Sequence, residues 1–234
     1  MKFRIDLKIF IFIILFFITN QIKIYALIMI FAIIHEFGHL VAGIFLGMKP
    51  EKIEIKPFGV SIDFEIKRKD YQIKIKEGNF LEVKKMFVAL AGPMINTLII
   101  FLLDTQTIFQ INQEDKMIMI FSNMVLILFN ILPIYPLDGG RILKCIMYIM
   151  KGKHKAEKYI YNISYITLMI ITVISSIAIL YLKNIAIFLA IIFLWGLQIK
   201  EQKIYENRKI LYDTIQREIK KIDDKKIEIP IENK

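Results

Sequence analysis

The sequence predicts an all-α polytopic membrane protein with about six transmembrane helices and a small β-rich loop on the cytoplasmic side. Of its 234 residues, 56% are hydrophobic, whereas soluble domains usually have about 45–50%. The charged residues are concentrated in loops and in the tail, and the apolar runs between them are too long for a soluble core. These observations exclude a soluble globular protein, a disordered chain and a collagen-like fibre.

The apolar runs predict one membrane domain over residues 1–199. A transmembrane helix needs about 20 mainly apolar residues. Six stretches approach or meet that length: 9–19, 25–47, 86–103, 117–135, 159–182 and 185–199. The first of them also fits a secretory signal peptide cleaved near Tyr25-Ala26, which would leave five spans.

The basic residues predict the orientation of the chain. Lys and Arg are abundant before the first span, in the second and fourth connecting loops and in the tail, whereas 104–116 has little positive charge. By the positive-inside rule, both the N-terminus and the C-terminus are cytoplasmic. The net charge of +10 is therefore attributed to loops that face anionic lipid, and no nucleic-acid partner is expected.

The loop 48–85 alternates apolar and polar residues with a period of two around Ile53, Ile62 and Ile73. This pattern, interrupted by turn residues, predicts a small antiparallel sheet with one apolar face. Such a sheet could bind an extended substrate at its edge, or it could be a structural hairpin that lies on lipid. The tail 200–234 is predicted to form either an amphipathic helix or an interfacial, partly disordered segment that frays after Asp223.

The second predicted span contains His35-Glu36-Phe37-Gly38-His39, which fits the pattern H-E-x-x-H. Residues at i and i+4 share one face of a helix, so both imidazoles can bind one metal ion. Glu36 lies next to the first ligand and can take a proton from water at the metal. Because ionised residues near the bilayer centre cost about 2.5–3.5 kcal/mol on insertion scales, this cluster predicts a catalytic site rather than a polar helix contact.

A hydrolytic zinc site requires a third protein ligand, which is expected on another helix. Asp138 is the best candidate by position, at the cytoplasmic end of the fourth span. Asp104 lies at the opposite, outer end of the third span, and His154 lies in a lysine-rich cytoplasmic loop.

The segment around Asp138 predicts broken backbone at membrane depth. Pro133 and Pro136 stop a helix from continuing, and Gly139-Gly140 permits unusual backbone dihedral angles. Such backbone is tolerated in a membrane only where protein or a water-filled cavity covers it. The segment is therefore expected to line a site, although a polar helix end with a tight turn would have the same composition.

These motifs resemble those of the site-2 proteases, a family of intramembrane zinc metalloproteases with H-E-x-x-H on one transmembrane helix and L-D-G on a later one. The shared features lie between about residues 25 and 145, and besides the strand-rich loop they are His35-Glu36-x-x-His39, Ala91-Gly92-Pro93-x-x-Asn96 and Asn130-x-x-Pro133-x-x-Pro136-x-Asp138-Gly139. Within the family, the chain is most similar to the sporulation proteases that process the precursor of sigma-K.

The resemblance implies one Zn²⁺ per chain, held by three ligands: His35, His39 and Asp138. It implies Glu36 as the general base. It also places Asn130 and Pro136 at the site as substrate-positioning residues, with Asn130 steadying the substrate backbone or the developing oxyanion. Asn96 is expected to join helices of the bundle rather than to act in catalysis.

The function implied by the resemblance is regulated proteolysis near the cytoplasmic face of the cell membrane. The expected partners are a membrane-associated substrate, namely pro-sigma-K, inhibitory or regulatory membrane proteins, and lipid; in a spore former the location would be the mother-cell membrane around the forespore. The related sporulation proteases commonly continue into a nucleotide-sensing CBS domain, for which the tail 200–234 is too short. Regulation by ATP is therefore in doubt.

Three alternatives remain open from the sequence. The chain could be a site-2 protease that cleaves another client, such as an anti-sigma factor. It could be a catalytically inactive scaffold, although Glu36 and all three expected ligands are present. It could be a transporter with intramembrane charges and broken helices, although no inverted repeat is visible.

Overall fold

The structure is a computed structural model that describes residues 2–56, 59–65, 75–105, 112–182 and 185–227. This part of the chain is mainly helical and contains one small sheet. Its elements, in chain order, are β1 (Lys2–Ile5), α1 (Lys8–Ile18), α2 (Ile22–Phe45), β2 (Lys49–Lys56), β3 (Gly59–Glu65), α3 (Ile75–Asp104), α4 (Gln113–Asn130), α5 (Asp138–Lys151), α6 (Lys153–Leu182) and α7 (Ile185–Ile227).

Three helices in the described residues are long and apolar enough to cross a membrane: Ile22–Phe45, Asn79–Asp104 and Lys155–Ala178. Large apolar side chains such as Phe37, Phe101 and Val173 are more than half exposed on them, as expected for surfaces that face lipid. The predicted class, a mainly helical membrane protein with a small β-rich loop, is confirmed. A helix also occupies each of the other predicted spans, but the count of six spans stays a prediction.

The sheet differs from the predicted one in its third strand. β2 pairs antiparallel with β3, with Ile53 opposite Ile62, as the alternation predicts. Of the third predicted strand, 72–74 lies outside the described residues, and Ile75 already begins α3. The other edge of β2 is covered by the N-terminal strand β1, which runs parallel to it. A four-residue strand at a chain end is too short to show a reliable period of two.

Two apolar clusters hold the helices together. In the first, Phe31 and Ala32 of α2 pack against Leu126 of α4. In the second, Ile134 and Leu137 pack against side chains of α6 and α7, and Ile134 is fully buried. The second cluster fixes the connection between α4 and α5, since both of these residues belong to it.

The connection 131–137 ends the fourth helix earlier than the sequence predicts. The predicted span continues to residue 135, but α4 ends at Asn130 and a new helix begins at Asp138. Pro133 explains the early end, because the residue before a proline is disfavoured in helical conformation. Asp138 is therefore the first residue of α5 rather than the end of the fourth span.

The two glycines after Asp138 have a role other than the predicted one. Both lie within α5, and neither has a positive φ. A Cβ atom at Gly139 would overlap the carbonyl group of Ile131, and one at Gly140 would overlap the backbone of Tyr135. The glycines thus allow the first turn of α5 to pack directly on the connection that precedes it.

Ser164 of α6 holds the same connection by hydrogen bonds. Its Oγ accepts a hydrogen bond from the Tyr135 backbone N–H at 3.0 Å and donates one to the Pro133 carbonyl at 3.4 Å. The side chain is buried. Ser164 therefore satisfies two backbone groups that the prolines leave without helical partners.

As far as residue 227, where the described part of the chain ends, the tail is helical, which is one of the two outcomes left open by the sequence. α7 continues to Ile227, past the point at which fraying was expected. Arg208 donates a hydrogen bond to Glu157 of α6 at 2.8 Å, and the rings of Tyr161 and Tyr205 stack with centroids 5.0 Å apart. These contacts attach the first part of the tail to α6.

Replacing Ser164 with alanine should destabilise the protein by about 1–3 kcal/mol, because the Tyr135 N–H would lose its buried partner. The free energy of unfolding in detergent micelles measures this effect. Ser176→Ala is the matched control, since Ser176 is exposed on the same helix and bonds only to the carbonyl of Thr172. Equal stability of the two variants would contradict the anchoring role.

Candidate metal centre

Three buried side chains form the only group of metal-binding type found among the described residues: His35, His39 and Asp138. The distances from Asp138 Oδ2 to His35 Nε2 and His39 Nε2 are 2.9 and 3.1 Å, and the two Nε2 atoms are 3.1 Å apart. Tetrahedral zinc with bonds of about 2.0–2.1 Å keeps its ligand atoms roughly 3.3 Å apart. The donor set and its spacing therefore fit a zinc ion.

Local structure brings the three predicted ligands together. His35 and His39 are one turn apart on α2, so both rings project from the same face. Asp138 approaches from the first turn of α5, where the helix dipole stabilises a negative charge. The structure thus places all three predicted ligands side by side, although Asp138 is more than ninety residues from the two histidines in the chain.

The orientation of His39 is set by a backbone group that sequence reasoning missed. Its Nδ1–H donates to the carbonyl oxygen of Val88 on α3 at 2.6 Å. Ligating histidines usually donate their second ring nitrogen in this way, which directs Nε2 at the metal. Every residue has a backbone carbonyl, so the sequence gives no indication that the carbonyl of Val88 makes this contact.

Gly92 of α3 provides space at the centre. A Cβ atom at this position would lie 2.5 Å from Nε2 of both His35 and His39. Any larger residue would therefore occupy the place where the two imidazoles converge. The sequence pattern Ala91-Gly92-Pro93 contains this glycine, but only the packing of α3 against α2 reveals its role.

The remaining predicted site residues face one cavity. It has a volume of about 80 Å³ and is lined by His35, Glu36 and Asp138 together with residues of β3, α4, α5, α7 and the connection, among them Ser61, Asn130, Pro136 and Arg141. Glu36, Asn130 and Pro136 are thus brought to the ligands, while their roles stay predictions. Asn96 is fully buried and does not line this cavity.

A larger cavity of about 600 Å³ lies next to the small one and shares Arg141 with it. Its walls include Ile62 and Phe64 of β3. On the far side, the Tyr148 hydroxyl donates to Glu157 at 3.0 Å, and burial together with this carboxylate raises the pKa of Tyr148. The cavity therefore combines an apolar strand face with a fixed polar wall.

Comparisons with known proteins agree with this geometry. The sequence profile of Peptidase family M50 matches residues 106–174. Stage IV sporulation protein FB of Bacillus subtilis is 26% identical over 129 residues, which are 54% of this chain and 41% of that protein. A zinc metalloprotease of Methanocaldococcus jannaschii is 31% identical over 144 residues, which are 59% of this chain and 38% of that protein.

The fold resembles the solved structure of a site-2 protease from Methanocaldococcus jannaschii. The TM-score is 0.63 at 23% identity, and the match covers 86% of this chain and 91% of that one. The chain is therefore similar to peptidase family M50 over residues 106–174 and to a site-2 protease in fold, and His35, His39 and Asp138 form its candidate zinc site. It spans about two fifths of the length of the two curated relatives.

Replacing Gly92 with alanine should lower the zinc content of the purified protein well below one ion per chain, because the added methyl group would displace the imidazoles. Elemental analysis of the detergent-solubilised protein measures the content. Gly196→Ala is the control, since a Cβ atom there would have no neighbour within 4 Å. Full zinc occupancy in the Gly92→Ala protein would refute the assignment of this space to the metal.

Proposed function

We propose that the chain is an intramembrane zinc metalloendopeptidase that cleaves membrane-associated proteins near the cytoplasmic face of the membrane. One observation carries this proposal: Glu36 and Asn130 line the cavity that also contains His35 and Asp138, within a bundle of apolar helices. A purely structural metal site would be closed by a fourth protein ligand, whereas a hydrolytic site keeps one position open. The match of residues 106–174 to Peptidase family M50 supports the same function.

The proposed chemistry assigns each side chain a task. A zinc ion held by His35, His39 and Asp138 would supply a Lewis acid that polarises the scissile carbonyl and lowers the pKa of water towards about 7. Glu36 takes a proton from the attacking water and returns it to the leaving amine. Asn130 donates a hydrogen bond to the substrate backbone or to the developing oxyanion.

The sheet offers a means of presenting the substrate. A helical substrate hides its carbonyl groups in i→i−4 hydrogen bonds, so it must unwind before it can be hydrolysed. Ser61 of β3 lines the same cavity as Glu36, and β3 pairs with β2 only, among the described strands. An unwound substrate could add to β3 as a further strand and reach the ligands.

The proposed side of cleavage follows from the charges. Asp138 is followed by Arg141 and Lys144 on α5, and the loop before α3 is rich in lysine. These basic segments favour the cytoplasmic side, with both chain termini on that side of the cell membrane. The two histidines lie in the half of α2 nearest to this loop, because His39 precedes the end of the helix at Phe45 by six residues.

The proposed client is a sigma-factor precursor, pro-sigma-K. This choice is supported by the similarity to stage IV sporulation protein FB, at 26% identity. The alternative client is another membrane-bound protein, such as an anti-sigma factor. In either case, regulatory membrane proteins would control access of the client to the cavity.

Replacing Glu36 with glutamine should reduce cleavage of a co-expressed sigma-K precursor by about 10²–10⁴-fold, because the general base is removed. Immunoblotting for the shortened product measures cleavage, and elemental analysis should find zinc retained. Glu51→Gln, at an exposed position of β2, is the matched control and should cleave normally.

The outcomes separate the candidate functions. Undiminished cleavage by the Glu36→Gln protein would refute the general-base assignment. Cleavage of an anti-sigma factor but not of the sigma-K precursor would favour the alternative client. A chain that binds no zinc and cleaves neither protein would refute the protease in favour of a transporter or scaffold.

A further inference from the structure

Among the buried side-chain polar atoms that find no hydrogen-bond partner in the described residues, four belong to His35, Asn96 and Asn123. They are Nδ1 of His35, both side-chain amide atoms of Asn96, and Oδ1 of Asn123. Buried polar groups are nearly always paired, because leaving them unpaired in apolar surroundings costs the full desolvation penalty. The presence of four such atoms on three helices calls for a physical explanation.

The register of α3 against α2 puts Asn96 on the His35 side of the metal centre. Val88, Gly92 and Asn96 lie on successive turns of α3. The Val88 carbonyl contacts His39, and Gly92 lies against both imidazoles. Since the contacts move from His39 towards His35 as α3 advances, Asn96 comes next, on the His35 side of the centre.

The apolar contacts that α3 makes beyond Asn96 also limit the position of Asn96 along α2. Ile99, three residues after Asn96, packs against the cluster of Phe31, Ala32 and Leu126. Asn96 therefore lies between the level of the imidazoles and the level of Phe31. His35 is the polar residue of α2 within this interval, one turn from Phe31.

The fourth atom, Oδ1 of Asn123, belongs to α4 and lies at the level of the same apolar cluster. Met119 and Leu126 of α4 both belong to the cluster that contains Ile99, and Asn123 lies between them. Asn123 donates its Nδ2 to the Met119 carbonyl at 2.9 Å, which leaves its Oδ1 as an acceptor. Asn96 and Asn123 are both fully buried.

We propose that Asn96 is a positioning residue of the metal centre, whose side-chain amide turns in the zinc-bound protein to accept a hydrogen bond from His35 Nδ1–H through Oδ1 and to donate one to Asn123 Oδ1 through Nδ2. The four atoms are two donors and two acceptors, so these two bonds satisfy all of them. The inference rests on the proposed zinc site, because a histidine that binds through Nε2 carries its proton on Nδ1.

The proposed bond gives the two histidine ligands different supports. His39 is oriented by the backbone carbonyl of Val88, which no substitution removes. His35 would be oriented by a side chain, which a substitution does remove. Loss of the Asn96 amide should therefore disturb one imidazole and leave the other in place.

The first test replaces Asn96 with leucine, which is similar in size and cannot form hydrogen bonds. Zinc affinity, measured by competition with a chelator, should fall by about 10–100-fold, the usual effect of removing such a partner. Asn96→Asp keeps an acceptor and should bind zinc within a few-fold of the unaltered protein. Thr97→Val is the matched control, because Thr97 is exposed and bonds only to the Pro93 carbonyl of its own helix.

The second test observes the bond directly. The chain has only three histidines, so ¹⁵N-histidine labelling gives three imidazole spin systems in the NMR spectrum of the zinc-loaded protein. In the Asn96→Leu protein, the Nδ1–H proton of His35 should move upfield while that of His39 stays unchanged. In the Asn96→Asp protein, the His35 proton should move downfield, because a carboxylate accepts a stronger hydrogen bond.

The outcomes distinguish this proposal from a purely structural role. Unchanged zinc affinity and unchanged His35 resonances in both variants would overturn it, and Asn96 would then only join helices. A selective His35 shift supports it even where proteolysis is absent. If Asp138→Asn does not weaken zinc binding, the proposed zinc site itself fails, and this inference fails with it.

Discussion

The packing of one carboxylate and two imidazoles within 3.1 Å of each other inside an apolar helix bundle constrains the rest of the structure. A buried charge in such surroundings is very costly unless it is paired. Asp138 meets this requirement through His35 and His39, and a divalent cation would balance its charge further. The arrangement requires α2, α3 and α5 to approach closely, which explains the glycine at position 92.

The backbone around the predicted ligands is held by residues that have no proposed role in catalysis. The glycines after Asp138 let α5 start directly on the preceding connection, and Ser164 pairs the backbone groups exposed there. Ile134, packed against α6 and α7, anchors the connection from the other side. The carboxylate is therefore positioned by packing that spreads over four elements of the bundle, and each of these contacts contributes to the precision of the site.

Local sequence patterns made most of the candidate ligand set predictable. The spacing of His35 and His39 fixes them on one helix face, and the acidic residue of the Pro- and Gly-rich segment was the natural third ligand. The early end of α4, the Val88 carbonyl and the space at Gly92 were not predictable, because each depends on contacts between distant segments. β1 was not predictable for the same reason, since a strand of four residues is recognisable only from its pairing with β2.

The parallel pairing of β1 with β2 also constrains the path of the chain through the membrane. Both strands belong to one sheet, so residues 2–5 and 49–56 lie on the same side, and α1 and α2 together must bring the chain back to where it began. That these two segments lie on the same side follows from the hydrogen bonds of the sheet alone and does not depend on the distribution of charge. Proteolytic removal of the first 25 residues would also strip the sheet of an edge strand and open β2 to a new neighbour.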